Sequence, residues 1–150
     1  MHKEGVYYRH NNRHTINLLE DRHHEKAHSR DNATIDPDQI GQLRLSGQAY
    51  DRAVAGIISG AGGVNSGIVM AQTGSAADGE YPVALTGRVY AWADASNGPI
   101  KPGDLLTTSN TPGHAMKVSD FSKGHGAIIG KAMSRLEKGK GLVLVLISLQ

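Results

Sequence analysis

The sequence predicts one mostly β domain that carries an N-terminal arm. Nineteen glycines and five prolines separate short runs of Val, Ile and Leu, a pattern typical of many short strands joined by turns. At 150 residues the chain can bury one real core but not the cores of two ordinary domains. The composition changes near Arg30, because six of the eight histidines lie in residues 1–30. We therefore predict a His-rich helical arm over residues 1–30 and a β-rich oligomerising domain over residues 31–150.

Charge and composition argue against several classes of function. The formal net charge is +2 and the basic residues are spread along the chain, so we expect no nucleic acid partner. The absence of cysteine leaves only histidine and carboxylate ligands for a transition metal. No signal peptide is recognisable, and the longest apolar run, Leu142 to Leu149, is too short to span a bilayer. We expect a cytoplasmic or virion-associated protein with no membrane contact.

The arm contains the one convincing helical pattern. The segment from Thr15 to Arg30 lacks proline and glycine, and one narrow face would hold Ile16, Leu19, His23 and Ala27. Thr15 could cap the first turn, and basic residues lie in the last turn. We predict a helix of about four turns here.

This helix would carry His24-Glu25-Lys26-Ala27-His28, the H-E-x-x-H pattern of zinc hydrolases. On a helix, His24 and His28 lie on one face and can occupy adjacent vertices of a tetrahedral metal site. Glu25 is then placed to take a proton from metal-bound water. The motif predicts a hydrolase that uses Zn²⁺, with manganese, iron or nickel as alternatives. Because such a site offers little enclosure, we expect small-molecule substrates with activated ester or phosphoester-type bonds.

The third metal ligand is left open by the sequence. Neither the glycine nor the later histidine of the extended metzincin signature follows His28. In order of preference, the candidates are His14, His10 and Asp31, and Glu20 lies one helical turn before His24. In a trimer, a neighbouring subunit could supply the ligand instead. Alternatively, the arm binds metal loosely without catalysis, or only helps the subunits to assemble.

Short apolar runs predict seven strands after the arm. These are Ala53–Ile58, Gly67–Ala71, Pro82–Ala93, Asp104–Thr108, His114–Val118, Ala127–Met133 and Leu142–Leu149. Lys101-Pro102-Gly103 suits a type II turn, and Thr111-Pro112-Gly113 is a second strand breaker. Because the last strand is apolar at every position from Leu142 to Ile147, both of its faces must be covered, which a copy of the same domain would achieve. We therefore expect a homo-oligomer, with a homotrimer as the favoured state.

An internal repeat appears when two segments are aligned. G-Q-L-R-L-S-G-Q-A-Y-D-R-A-V-A-G-I-I-S begins at Gly41, and G-H-A-M-K-V-S-D-F-S-K-G-H-G-A-I-I-G begins at Gly113. Each runs from a glycine into a short strand, then to an aromatic residue, and then through small residues to Ile-Ile. The repeat predicts two related β units packed about a pseudo-dyad.

Residues 34–150 resemble a known type of domain. The run P-V-A-L-T-G-R-V-Y-A-W-A-D-A-S-N-G-P-I-K-P-G-D-L-L-T-T-S-N-T-P-G-H-A-M-K-V, followed by I-I-G-K-A-M and G-L-V-L-V-L-I, is similar to a β-rich domain at the C-termini of bacterial and phage fibre-like proteins. It is more distantly similar to peptidase G2, a phage intramolecular chaperone that releases itself by autoproteolysis. The resemblance implies a compact β-clip-like trimeric module without an established enzyme activity. No peptidase G2 cleavage residue maps onto this chain, and the arm lies outside the resemblance.

Three further patterns are weaker. His114 and His125 each follow a glycine and could join a site with Asp104 or Asp120, although lone turn histidines more often make surface hydrogen bonds. The glycine-rich run 59–67 lacks the Gly-Lys-Ser/Thr of a phosphate loop and is predicted to be a turn. No serine has a histidine and a carboxylate at recognisable spacing, so serine hydrolase chemistry is not predicted.

Overall fold

The computed structural model describes residues 30–58 and 83–150, together with the backbone of residues 4–8 and 17–20. Within these ranges the chain forms strands β1 Glu4–Tyr8, β2 Asn17–Glu20, β3 Asn32–Ile35, β4 Leu43–Leu45, β5 Val54–Ile58, β6 Val83–Ala84, β7 Thr86–Asp94, β8 Leu105–Thr108, β9 Ala115–Lys117, β10 Ile128–Ala132 and β11 Lys140–Ser148. The described residues also contain one 3-10 turn, Phe121–Lys123, between β9 and β10. No helix within the described ranges is long and apolar enough to cross a membrane.

The strands form two sheets. One is six-stranded, in the order β2-β1-β4-β3-β5-β6, and the other is a closed barrel in the order β10-β11-β7-β9-β8. The longest pairing joins β7 to β11 in nine antiparallel residue pairs, from Thr86 opposite Ser148 to Asp94 opposite Lys140. The prediction of a compact, mostly β chain with a small barrel is confirmed.

The helix predicted from Thr15 to Arg30 is wrong at residues 17–20. Asn17–Glu20 is a strand, and it pairs antiparallel with β1 so that Leu18 lies opposite Val6. β1 in turn pairs with β4, which brings this hairpin into the sheet of the domain. An isolated helix of about four turns is only marginally stable, so a ladder of strand hydrogen bonds outweighs its weak intrinsic preference. Residues 15, 16 and 21–29 of the predicted helix lie outside the described residues, and Arg30 is described as part of a turn.

Six of the seven predicted strands match observed ones, and the seventh, Gly67–Ala71, falls outside the described residues. The predicted strand Pro82–Ala93 is divided at Leu85, because β6 joins the open sheet and β7 joins the barrel. The predicted type II turn is present. The N–H of Asp104 donates to the carbonyl oxygen of Lys101 at 3.0 Å, and Gly103 has φ +93°. Strand β3 was not predicted.

The internal repeat is confirmed by the topology. In the first unit, β3–β5, a hairpin is followed by a third strand that pairs with the outer side of β3. The second unit, β8–β10, repeats this order. Both units also contain a one-residue bulge in the third strand, because Gly56 and Val54 face consecutive residues of β3, while Gly130 and Ile128 face consecutive residues of β8.

The register corrects the alignment made from sequence. Gly56 lies opposite Ala33 in the first unit and Gly130 lies opposite Leu106 in the second, so these two glycines are equivalent. The Ile-Ile pairs aligned in the sequence are therefore displaced from each other in the fold. Both glycines touch the next strand. A Cβ on Gly56 would overlap the carbonyl oxygen of Ala84, and one on Gly130 would overlap that of Leu146.

The main core fills the barrel. The side chains of Val143, Val145 and Ile147 point inward from β11 and are 0–4% exposed. They pack with the apolar residues of β7, β8 and β10, and with Ile57 of the first unit. A smaller cluster lies in the open sheet around Ala33 and Ile58. Alternation along β11 leaves Leu142, Leu144 and Leu146 on the outer side.

We predict that Gly56→Ala and Gly130→Ala each lower the free energy of unfolding by about 1–3 kcal/mol, because the added methyl group forces adjacent strands apart. Gly47→Ala is the matched control, since no atom lies within 4 Å of a Cβ placed there. Urea unfolding followed by circular dichroism measures all three. Equal stability of the Gly130 and Gly47 variants would contradict the close approach of β10 and β11.

Candidate functional site

Most of the predicted metal site lies outside the described residues, namely His10, His14, His24, Glu25 and His28. Asp31 is described, and it is 6% exposed just before β3. Its carboxylate lies against the turn at Gly113, where an added Cβ would be 2.6 Å from Asp31 Oδ1. Among the described residues, no three His, Asp or Glu side chains form a group that could hold a metal. The metal site remains a prediction.

His114 is a structural residue of the β8–β9 turn. Its Nδ1 lies 2.8 Å from the carbonyl oxygen of Pro112, and its ring centroid lies 5.9 Å from that of Trp92. The proposed partner Asp104 instead accepts the N–H of Lys101 at 2.8 Å and lies 3.6 Å from Lys117 Nζ. These contacts account for His114 without assigning it a chemical role.

The side chain of Asp94, at the end of β7, hydrogen-bonds to the β8–β9 turn. Its Oδ1 accepts the N–H of Ser96 at 2.9 Å and the Ser96 hydroxyl, and its Oδ2 accepts the Thr111 hydroxyl at 2.6 Å. The side-chain hydrogen bonds from Ser96 and then Thr111 stabilise the charged carboxylate and lower the pKa of Asp94 to about 2. The carboxylate is therefore a charged anchor across the normal range of pH.

An open cleft of about 650 Å³ lies where the two units meet. Its walls are the loop between β4 and β5 and the loop between β9 and β10, which are equivalent in the two units. The residues that line it are Ala49, Tyr50, Arg52, Ser122, Lys123 and His125. Of the two histidines that the structure describes, His125 lines this cleft and His114 does not.

Tyr50 is held in an unusual conformation on one wall of the cleft. Its φ is +55°, a value that is uncommon for residues other than glycine. Its phenol oxygen accepts the N–H groups of Ser119 at 3.1 Å and Asp120 at 2.9 Å, and lies 3.2 Å from the Ser119 hydroxyl. Burial acts to raise the pKa of Tyr50, but these hydrogen bonds together lower it below the ordinary value.

The outer side of the barrel exposes a continuous apolar surface. We call it the outer face, and its residues are Tyr90, Trp92, Met133, Leu142, Leu144 and Leu146. Leu142 pairs with Trp92 and Leu144 with Tyr90 across the β7–β11 ladder, and the N–H of Met133 donates to the carbonyl oxygen of Leu144. Tyr90, Met133 and Leu146 are 39%, 41% and 43% exposed. Arg88 and Lys131 are exposed beside Leu146 on the two neighbouring strands.

The cleft was not predicted from sequence, although one signal of it was visible. The aligned repeat places an aromatic residue, Tyr50 or Phe121, after the second strand of each unit. That position lies in the loops that form the two walls. Arg52 and Lys123 belong to different units, so nothing in the local sequence of either residue indicates that they line one cleft.

Comparison of the chain with protein-family models, with curated proteins and with solved structures gave no match.

We predict that Asp94→Asn flattens the fall in stability between about pH 4 and pH 2. The stabilisation from Asp94 is present above the unfolded-state pKa of 3.8 and is lost as pH falls through the folded-state value of about 2. The free energy of unfolding, measured by urea titration at several pH values, should fall less steeply in the variant than in wild type. Asp38→Asn is the matched control, because Asp38 is exposed. Identical slopes in the Asp94 variant and wild type would disprove this role of the carboxylate.

Proposed function

We propose that this chain is a noncatalytic assembly module that forms a homotrimer, with the outer face as the contact between subunits. The observation that carries the proposal is the outer face itself. It combines five apolar or aromatic residues on β7 and β11 with Met133, which follows β10, and three of the six are about two-fifths exposed. Contiguous apolar patches with a polar rim are typical of protein–protein contact sites.

The form of the outer face favours a folded partner. The rigid β7–β11 ladder holds its side chains, and the guanidinium of Arg30 lies 5.9 Å from the centroid of the Tyr90 ring. Side chains held on a strand ladder lose little conformational entropy on binding. The strand that supplies Leu142, Leu144 and Leu146 also supplies the inward core residues Val143, Val145 and Ile147. One strand would thus serve both folding and assembly.

A second copy of the chain is the partner that best fits these features. The resemblance of residues 34–150 to domains of fibre-like proteins implies a trimer, and the sequence of β11 independently requires cover on both faces. A surface used by identical subunits is buried on every copy, which explains why β11 keeps leucine on its outer side. The role consistent with this arrangement is trimerisation at the end of a fibre.

Leu146→Glu is predicted to convert the trimer into monomers, because it places a carboxylate in the apolar contact. The expected mass, measured by light scattering after size exclusion, falls from three protomers to one protomer of 15.9 kDa. Met133→Glu should act in the same direction. Ile40→Glu is the matched control, since Ile40 is 96% exposed and lies outside the outer face.

Wild type that is monomeric at micromolar concentration would disprove the proposal. A trimer that survives both Leu146→Glu and Met133→Glu would leave assembly intact but place the contact elsewhere. Circular dichroism of each variant shows whether the barrel has remained folded.

A second candidate function, a metal-dependent hydrolase, is carried by the H-E-x-x-H motif of the arm. His24 and His28 would bind Zn²⁺ or a related ion, with His14, His10 or Asp31 as the third ligand. Glu25 would act as the general base towards an activated ester or phosphoester. The support for this candidate is the residue pattern alone.

Elemental analysis of tag-free protein after dialysis tests this second candidate. The hydrolase predicts one metal per protomer in wild type, lost in the His24→Ala/His28→Ala double variant. It also predicts that Glu25→Gln keeps the metal but loses at least a hundredfold in hydrolysis of an activated ester. Metal-free wild type, or hydrolysis unchanged in Glu25→Gln, would reject catalysis by this motif.

A further inference from the structure

The cleft between the two units is positively charged. Three of its six lining residues, Arg52, Lys123 and His125, carry basic side chains, and none of the six carries a carboxylate. Arg52 makes no ion pair within the described ranges. Lys123 is partly balanced, because its Nζ lies 3.9 Å from Asp120 Oδ2, whereas Asp120 Oδ1 accepts the N–H and the hydroxyl of Ser122. Arg52 thus offers the cleft a cationic group that no carboxylate of the described residues neutralises.

The same cleft offers a ring and hydroxyl groups. Tyr50 contributes an aromatic wall, with Lys123 Nζ 5.9 Å from its ring centroid. Ser122 contributes a short polar side chain at the edge. A volume of about 650 Å³ lies in the range of small-molecule sites, which combine an aromatic wall with a few placed polar groups. The C–H face of a sugar ring suits such a wall, and an oxyanion suits the guanidinium of Arg52.

The walls of the cleft are fixed before any ligand binds. The N–H of Ala49 donates to Asn110 Oδ1 at 3.0 Å, and the N–H of Asp51 donates to the Thr108 hydroxyl at 2.8 Å. These bonds tie the loop of the first unit to the second unit on either side of Tyr50. A residue other than glycine at positive φ is strained, and such strain is concentrated at binding sites. The preformed geometry would reduce the entropy lost on binding.

We propose that this cleft binds a carboxylated or phosphorylated sugar, with its oxyanion on Arg52 and Lys123 and its ring against Tyr50. Binding in the cleft is independent of the trimer, since Arg52, Lys123 and Tyr50 lie outside the outer face.

Isothermal titration calorimetry of the full chain tests the proposal with four probes at equal ionic strength. These are glucose 6-phosphate, glucuronate, inorganic phosphate and glucose. We expect at least one of the two anionic sugars to bind tenfold more tightly than both inorganic phosphate and glucose. The anionic sugar with the lower Kd identifies the preferred oxyanion. Binding of glucose with equal affinity, inorganic phosphate with equal affinity, or no binding of either anionic sugar would overturn the proposal.

Variants locate the binding within the cleft. Arg52→Gln and Lys123→Gln should each raise the Kd for the preferred anionic sugar about tenfold, as expected when one charge-assisted hydrogen bond is lost. Lys138→Gln is the matched control, because Lys138 is exposed in the β10–β11 turn. If one cleft variant fails to fold, the other provides the same test. An unchanged Kd in a folded cleft variant would place any binding elsewhere and overturn the assignment.

Discussion

The buried side chain of Asn32 holds the two β units together. It is 0% exposed, and its Nδ2 donates to the carbonyl oxygens of Gly113 at 2.6 Å and of Trp92 at 3.3 Å. Its backbone N–H also donates to Gly113, while its carbonyl oxygen accepts the N–H of Ser46. Buried polar groups that lose their partners cost about 1–3 kcal/mol each, so this junction favours one relative placement of the units. The cleft at Tyr50 depends on that placement.

The two units have the same topology but different polar chemistry. On one face of the first unit, a buried oxygen lacks a partner within the described structure in each of Asn32, Thr34, Asp36, Gln42 and Ser46. At the equivalent positions of the second unit, Thr107 donates to the carbonyl oxygen of Ala127 and Ser109 to that of His114. Buried acceptors normally have a donor, often an ordered water. The second unit is therefore satisfied internally, whereas the first has room for additional hydrogen bonds.

Much of the fold follows from local sequence, and the exceptions have physical causes. Short apolar runs gave the barrel strands, and Pro102 and Gly103 gave their turn, because these signals act between near neighbours. Strand β3 carries buried polar residues that bond to distant segments, so its sequence does not read as a strand. The helix prediction used local residue preferences alone and therefore missed the pairing of Asn17–Glu20 with β1. The repeat was aligned on Ile-Ile pairs, whereas Gly56 and Gly130 are the equivalent residues, because they hold the same register position and both closely approach the next strand.

The functional surfaces were harder to predict than the fold. The sequence of β11 indicated apolar residues on both of its faces. The other residues of the outer face, Tyr90, Trp92 and Met133, come from distant parts of the chain. The cleft unites Tyr50 and Arg52 of one unit with Lys123 and His125 of the other. The H-E-x-x-H motif was prominent because all of its residues are adjacent in sequence. A motif of adjacent residues is thus easy to detect in a sequence, whereas a surface assembled by the tertiary fold is not.

Native mass spectrometry of the wild-type chain, before and after exhaustive chelation, tests the central claim of assembly through the barrel most directly. The account predicts an assembly of three protomers, each of 15.9 kDa, and the same assembly after chelation, because the apolar side chains of the outer face, and not metal ions, join the subunits. A monomer in both samples would contradict the claim, as would a trimer that dissociates when metal is removed.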